Sequence, residues 1–191
     1  MLISSGWAKG ARLATPAGEG TRPTAVKVRA AALNKLMPEL PGAQFLDLFA
    51  GSGAMGLEAV SRGAARSVFV EQAPAALKAL RTNIAEVERR AVSQGLEVPA
   101  LSVLAGSLPG ALAKLRGPFD VVFIDPPYKD VATLAPQLLG GLVTLTADEA
   151  VVLFESAAAD AALVVAAAAN IWQVYDQRAY GETMLTMLIK S

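Results

Sequence analysis

Two short stretches of this chain carry residue types and spacings that could do chemistry. The first is Asp125-Pro126-Pro127-Tyr128, which directly follows the apolar run 119–124. The consecutive prolines Pro126 and Pro127 fix φ and carry no N–H. They hold the Pro126 carbonyl beside the Asp125 carboxyl without a competing donor. Two acceptors so placed could take the N–H groups of an exocyclic amine. The amine lone pair of a nucleobase is delocalised into its ring and is a poor nucleophile. Hydrogen bonds that favour pyramidal nitrogen free that lone pair. Tyr128 offers a face on which a base taken out of its stack could lie. The chemistry would be an in-line methyl transfer driven by positioning and electrostatics. The plainer alternative is a rigid turn in which Asp125 caps the next segment.

The second stretch is residues 47–56, DLFAGSGAMG, in which Gly51, Gly53 and Gly56 fit G-x-G-x-x-G between a strand and a helix. Glycines there permit positive φ and close approach of a ligand to the backbone. The pattern has two readings. One is a dinucleotide site, with pyrophosphate on the helix N-terminus. The other is a site for S-adenosylmethionine. Asp47, inside the strand end, is awkward for a pyrophosphate but suits the cationic amino-acid end of S-adenosylmethionine. Its alternative is a cap on loop or helix amides. Glu71 ends the next strand and could accept both ribose hydroxyls in either case. Phe49, Ser52 and Gln72 flank these positions and are expected to contact the same ligand. Ser107 follows the third strand, where an adenine edge would lie; capping a helix over 108–115 explains it equally well.

Composition limits the rest. The chain has 191 residues, no Cys and no His, is 53% hydrophobic, and has zero formal net charge. Thiolate nucleophiles, disulfides, imidazole bases and the usual zinc sites are therefore excluded, including the thiolate route to pyrimidine C5. No metal is expected. The charge is unevenly distributed. Residues 1–37 hold six basic groups (Lys9, Arg12, Arg22, Lys27, Arg29, Lys35) and one acid, Glu19. A basic segment on an otherwise acidic body suits a polyanion such as nucleic acid, though a solvated surface gives the same count. The N-terminus lacks a secretory apolar region and no run reaches the ~20 residues that span a bilayer, so a soluble cytoplasmic protein is expected.

The elements that must position these residues alternate. Residues 1–15 read as a short hairpin around Gly6 and Gly10, followed by a Gly/Pro loop at 16–23. A helix is predicted over 24–37 with Thr24 as its cap. Strands are predicted at 44–48, 67–71, 100–104, 119–124, 150–155, 171–177 and 184–190. Helices are predicted at 54–62, 74–95, 108–115, 131–139 and through the Ala-rich stretch 157–169. Strands separated by helices argue for a mostly parallel, seven-stranded α/β sheet, closed by an antiparallel hairpin at Gly181. Ligands then bind beyond the carboxyl ends of the strands.

With these motifs in place the chain resembles the bacterial 16S ribosomal RNA guanine-N2 methyltransferases, members of the Rossmann-like class I S-adenosylmethionine-dependent fold. The resemblance rests on ISSGWAKGARL near the N-terminus, TRPT at 21–24, VR at 28–29, DLFAGSGAMGLEAVSRGA at 47–64, VFVE at 68–71, FDVVFIDPPY at 119–128 and YGET at 180–183. It implies methylation of a guanine N2 in 16S rRNA of the small ribosomal subunit, with S-adenosyl-L-methionine as methyl donor. It implies a target-base pocket of Asp125, Pro126 and Tyr128, and places Arg22 and Thr24 beside cofactor or RNA. Lys9, Arg12, Arg22 and Arg29 would contact RNA phosphates. Residues 1–37 are expected to form a basic hairpin-and-helix extension, and 38–191 the methyl-transfer domain. A monomer is expected. The same Asp-Pro-Pro-Tyr chemistry could serve an adenine-N6 methyltransferase, and the fold could also belong to a non-catalytic RNA-binding assembly factor.

Overall fold

A computed structural model of the chain describes residues 1–16 and 23–190. Seven strands form one sheet in the order β3-β2-β1-β4-β5-β7-β6. They are β1 (Gln44–Leu48), β2 (Arg66–Glu71), β3 (Ala100–Ala105), β4 (Phe119–Ile124), β5 (Thr146–Ala157), β6 (Trp172–Tyr180) and β7 (Thr183–Lys190). The first five run parallel, and β7 pairs antiparallel with both β5 and β6. This is the expected architecture. The chain winds outward from β1 to β3, then returns to place β4 on the other side of β1. The crevice between the carboxyl ends of β1 and β4 is therefore the switch point where such sheets bind ligands.

Side-chain alternation divides the core. The odd-numbered residues Phe45, Val121, Phe123, Val151 and Leu153 pack under α1 (Pro23–Lys35) and α2 (Ala54–Ser61), against Val28, Leu33, Leu36, Met55 and Val60. The even-numbered Leu46, Leu48, Val122, Ile124, Val152 and Phe154 pack under α4 (Val131–Leu142) and α5 (Ala161–Ala168). Both faces of β1 and β4 are buried, which is why these strands read as near-continuous apolar runs, each carrying one Asp, rather than alternating ones. The one polar residue of β4, Asp120, accepts the Gln44 amide at 2.8 Å and so fixes the start of β1.

The N-terminal segment is a hairpin closed by an antiparallel bridge between Leu2 and Arg12. Ile3, Ala8, Ala11 and Leu13 share a core with Leu57, Phe69 and with Leu80 and Val87 of α3 (Pro74–Ser93). Gly6, at φ +79°, lies so close to α2 that a Cβ there would fall 1.7 Å from the Ser61 carbonyl oxygen. The Trp7 amide donates to that same oxygen at 2.9 Å. Asn83 clamps Ala14 from both sides, accepting its N–H at 2.7 Å and donating to its carbonyl at 2.9 Å. Beneath the hairpin is a buried ion cluster. Glu58 accepts from Arg29 Nε at 3.2 Å and from Arg62 at 2.7 Å, and the Ser4 hydroxyl also donates to it.

Several expected boundaries shift for identifiable reasons. The first helix begins at Pro23, so Thr24 lies within its first turn rather than before it; Pro is well suited to the opening helical position. The stretch predicted as a helix over 108–115 is a 3₁₀ turn over Gly110–Lys114. The Ala-rich stretch does not start a helix at 157. Ser156 and Ala157 instead pair with Met184 and Thr183 of β7, and the helix waits until Ala161. Sheet pairing here overrides the high helix propensity of Ala. Among the described residues no helix is long and apolar enough to cross a membrane.

Candidate active site

The carboxyl ends of β1, β2 and β4 enclose a cleft of about 520 Å³ lined by residues that include Phe49, Glu71, Gln72, Asp125, Pro126 and Tyr128. Val70, Ala73, Gly106, Leu108 and Pro127 complete its wall. The two stretches singled out in the sequence are thus brought together. Strand register explains how: Asp47 pairs with Phe123 and Leu48 with Ile124, so the loops leaving β1 and β4 start side by side.

The glycine loop is held by carboxylates. Glu71 accepts the Gly51 amide at 2.8 Å, and its other oxygen accepts the amides of Gln72 and Ala73, each at 2.7 Å. Asp47 is buried and accepts the Gly56 amide at 3.0 Å. The Gly53 amide donates to the Ala50 carbonyl at 2.7 Å. Gly53 has φ +77°, and a Cβ there would meet Leu80 Cδ1 at 2.3 Å, so only glycine fits. Phe49 also adopts a positive φ, +61°, a strained backbone for a bulky residue that places it in the cleft wall. All three glycine-motif amides are therefore already engaged, two of them by acids. A pyrophosphate would have to displace a carboxylate to reach them. The alternative role of Asp47, as a cap on the amides of α2, is realised, and it coexists with a position facing the other cleft acids.

Those acids dominate the site. Burial raises Asp47 well above the usual carboxylate range, and the nearby Asp125 and Glu71 charges raise it further. Asp125 opens to solvent on the cleft side but is otherwise enclosed by protein, and loss of hydration pushes it up to about 6. Among the described residues no Lys or Arg lines the cleft. Among the described residues no cluster of acids could hold a metal ion. The site is thus built for a ligand that is cationic and rich in N–H donors.

Two residues not anticipated as site members join it. The Tyr128 hydroxyl lies 3.1 Å from Thr183 Oγ1 and 3.5 Å from Glu155 Oε1. Burial, followed by the Asp125 charge, pushes Glu155 up to about 8. The signal was present in the sequence: Glu155 ends the apolar run of β5 just as Asp125 follows that of β4, and Thr183 closes the YGET stretch.

Other expectations turn out differently. Ser107 is exposed and does not line the cleft, although its neighbours Gly106 and Leu108 do; its hydroxyl donates to the Leu108 carbonyl at 3.4 Å. Ser52 is buried, with its carbonyl accepting from Asn83 at 2.8 Å, so it braces the loop from behind. Arg29 is corrected: it is buried, paired to Glu58, and donates to the Leu2 carbonyl at 2.9 Å. It pins the hairpin and is not free for phosphate. Lys9 and Arg12 are exposed, and Arg12 shares a surface groove with Arg90. Arg22 lies outside the described residues, as does the side chain of Thr24.

The cluster has a consequence for stability. Acids whose folded-state pKa lies above the unfolded value give the folded protein more bound protons, so stability falls as pH rises through those values. With no His and no Cys in the chain, few other groups titrate near neutrality. The melting temperature of the ligand-free protein is expected to drop by a few degrees between about pH 5.5 and about pH 8.5, as Asp125 and then Glu155 ionise. Asp125→Asn should flatten that slope. A melting temperature that rises over the same range would show that the acids are not desolvated.

The family described as Conserved hypothetical protein 95 matches residues 1–189. The chain is 37% identical over 145 residues to the Bacillus subtilis protein named "Putative rRNA methyltransferase YlbH", covering 76% of this chain and 73% of that one. It is 37% identical over 128 residues to "Ribosomal RNA small subunit methyltransferase D" of Escherichia coli, covering 67% of this chain and 60% of that one. A solved structure titled "Putative methyltransferase yhhF from Escherichia coli" superposes with a TM-score of 0.75 at 27% identity, covering 100% of this chain and 98% of that one.

Proposed function

Because this chain belongs to the family described as Conserved hypothetical protein 95, we propose that it transfers a methyl group from S-adenosylmethionine to the N2 amine of a guanine in small-subunit ribosomal RNA. The observation that carries this reading is the acid-lined cleft. Glu71 and Asp125 line it, Asp47 lies buried just behind it within reach of both charges, no basic side chain among the described residues lines it, and the glycine-motif amides are taken. Such a site repels the pyrophosphate of a dinucleotide and suits a ligand bearing an ammonium and a sulfonium. The relatives named as rRNA methyltransferases support the choice of RNA, and one is named for the small subunit.

In this reading S-adenosylmethionine supplies an electrophilic methyl group. Asp47 and Glu71 would hold its cationic and ribose ends, and Phe49 and Leu108, which line the cleft, would offer apolar surface to its base. Asp125 and the Pro126 carbonyl accept the amine hydrogens, which favours pyramidal nitrogen and frees its lone pair. The bound donor would supply the methyl and leave as S-adenosylhomocysteine, and Asp125 or water would take the proton that the methylated amine sheds. Pro127 keeps the turn rigid. Tyr128, 41% exposed and anchored through its hydroxyl to Thr183, presents its ring for stacking. No covalent intermediate with the protein is required.

The segment 1–37 then serves as the RNA-facing extension of a transfer domain spanning 38–191. Lys9 and Arg12, with the Arg12–Arg90 groove, supply phosphate contacts. Titration calorimetry tests the cofactor assignment directly. S-adenosylhomocysteine is expected to bind and NAD is not. Tight NAD binding without S-adenosylhomocysteine binding would reverse the assignment.

A further inference from the structure

Among the described residues Glu155 has no counter-ion. It forms none of the salt bridges found among the described residues, and its one hydrogen-bond contact is the long 3.5 Å approach of the Tyr128 hydroxyl. It nevertheless stands next to Asp125. Ile124 pairs with Phe154 across β4 and β5, so Asp125 and Glu155 occupy successive positions just beyond that pair. Their charges act on one another. Two half-enclosed carboxyls side by side, without a cation, are unfavourable for the empty protein. Such an arrangement is stabilised by a ligand that brings several N–H donors along one edge.

A guanine presents such an edge. Its N2 amine and its N1–H are adjacent and point the same way. Adenine presents an amine beside a bare N1 lone pair. A carboxylate beside the amine-binding acid therefore attracts one purine and repels the other. Tyr128, which the base would stack on, reaches the same place, its hydroxyl lying 3.1 Å from Thr183 Oγ1 and 3.5 Å from Glu155 Oε1.

We propose that Glu155 accepts the guanine N1–H while Asp125 accepts the N2 amine, making Glu155 the residue that admits guanine and rejects adenine. This rests on the amine-methylation reading above. It adds a specificity role for a side chain at the tip of β5, one strand over from the residues that act on the amine.

The test uses the full-length protein and small-subunit rRNA, splint-ligated to carry either guanine or 2-aminopurine at the methylated position and reconstituted into particles. 2-Aminopurine keeps the N2 amine but lacks the 6-oxo group, so its N1 carries a lone pair instead of a hydrogen. Assays near pH 8.5 keep most Glu155 ionised, above its value of about 8, and most guanine N1–H intact. Wild type is expected to prefer guanine by about 10–100-fold, the discrimination typical of a well-formed polar pair to a base. In Glu155→Gln the amide can donate to the bare N1 or accept from N1–H. That preference should therefore fall to near unity, while S-adenosylhomocysteine affinity stays unchanged. A guanine preference that survives in Glu155→Gln, or wild type that uses both purines equally, overturns the proposal. Wild type that methylates neither purine would instead overturn the underlying amine-methylation reading. Glu155→Gln removes a like charge beside Asp125, so it should melt no lower than wild type at this pH. If it does melt lower, the wild-type comparison alone decides.

Discussion

Asp125→Ala is expected to lower methyl transfer by about 10²–10⁴-fold, the range for removing a positioned proton acceptor or a charge-stabilising group. The binding of S-adenosylhomocysteine should survive, because Asp47 and Glu71 hold their loop amides without help from Asp125. Affinity should even rise slightly for any ligand that does not need the Asp125 charge, since Asp125 adds to the repulsion felt by Asp47. Asp125→Asn should lose less activity than Asp125→Ala, because the amide oxygen still accepts one amine hydrogen. It should also melt higher than wild type at alkaline pH, since it no longer ionises beside Glu155. Single-turnover rates with saturating donor, compared with calorimetry, separate these effects. Undiminished transfer in Asp125→Ala would show that the acid at the tip of β4 is only a turn residue.

The largest effect on stability is expected at Glu58. This side chain is fully buried and neutralises two guanidiniums, Arg29 and Arg62, whose side chains are themselves 9% and 4% exposed. Glu58→Ala leaves both charges buried without a partner, which costs about 3–5 kcal/mol for a broken buried pair. For a chain of this size that corresponds to a fall of roughly 6–20 °C in melting temperature. The damage should begin at the N-terminus. Arg29 donates to the Leu2 carbonyl and Ser4 donates to Glu58, so the hairpin loses two anchors at once. Trypsin should then cut first at Lys9 or Arg12, before the sheet unfolds. A melting temperature within a few degrees of wild type, with the hairpin still protected, would mean that apolar packing of Ile3, Ala8 and Leu13 holds the segment unaided.

The parts of this molecule legible in the sequence are those set by local pattern. β1 and β4 fall where their near-continuous apolar runs place them, because both faces of each strand are buried. The glycine loop and the Asp-Pro-Pro-Tyr turn converge because a parallel sheet brings the ends of β1 and β4 together. What the pattern could not show is partner choice across long separations. Arg29 looked like a phosphate contact because nothing in the local sequence announces that Glu58, 29 residues away, faces it inside the core. Residues 157–160 looked helical because Ala favours helix, but β7 is there to pair with residue 157. Glu71 reads in the sequence as a ribose acceptor alone, yet its carboxylate also organises three backbone amides of its own loops. Glu155 is marked in the sequence only by its place at the end of the β5 apolar run, because β5 ends in no motif. It matters through a neighbour, Asp125, 30 residues earlier in the chain.

The most direct test of the central claim is nucleoside mass spectrometry of RNA after incubation with the purified protein and isotopically labelled S-adenosylmethionine. Small-subunit particles, naked rRNA and duplex DNA should be offered in parallel. Label is expected in N2-methylguanosine from small-subunit rRNA, with none in DNA. Label confined to N6-methyladenine, in either nucleic acid, would contradict the account, as would an absence of label in all three substrates.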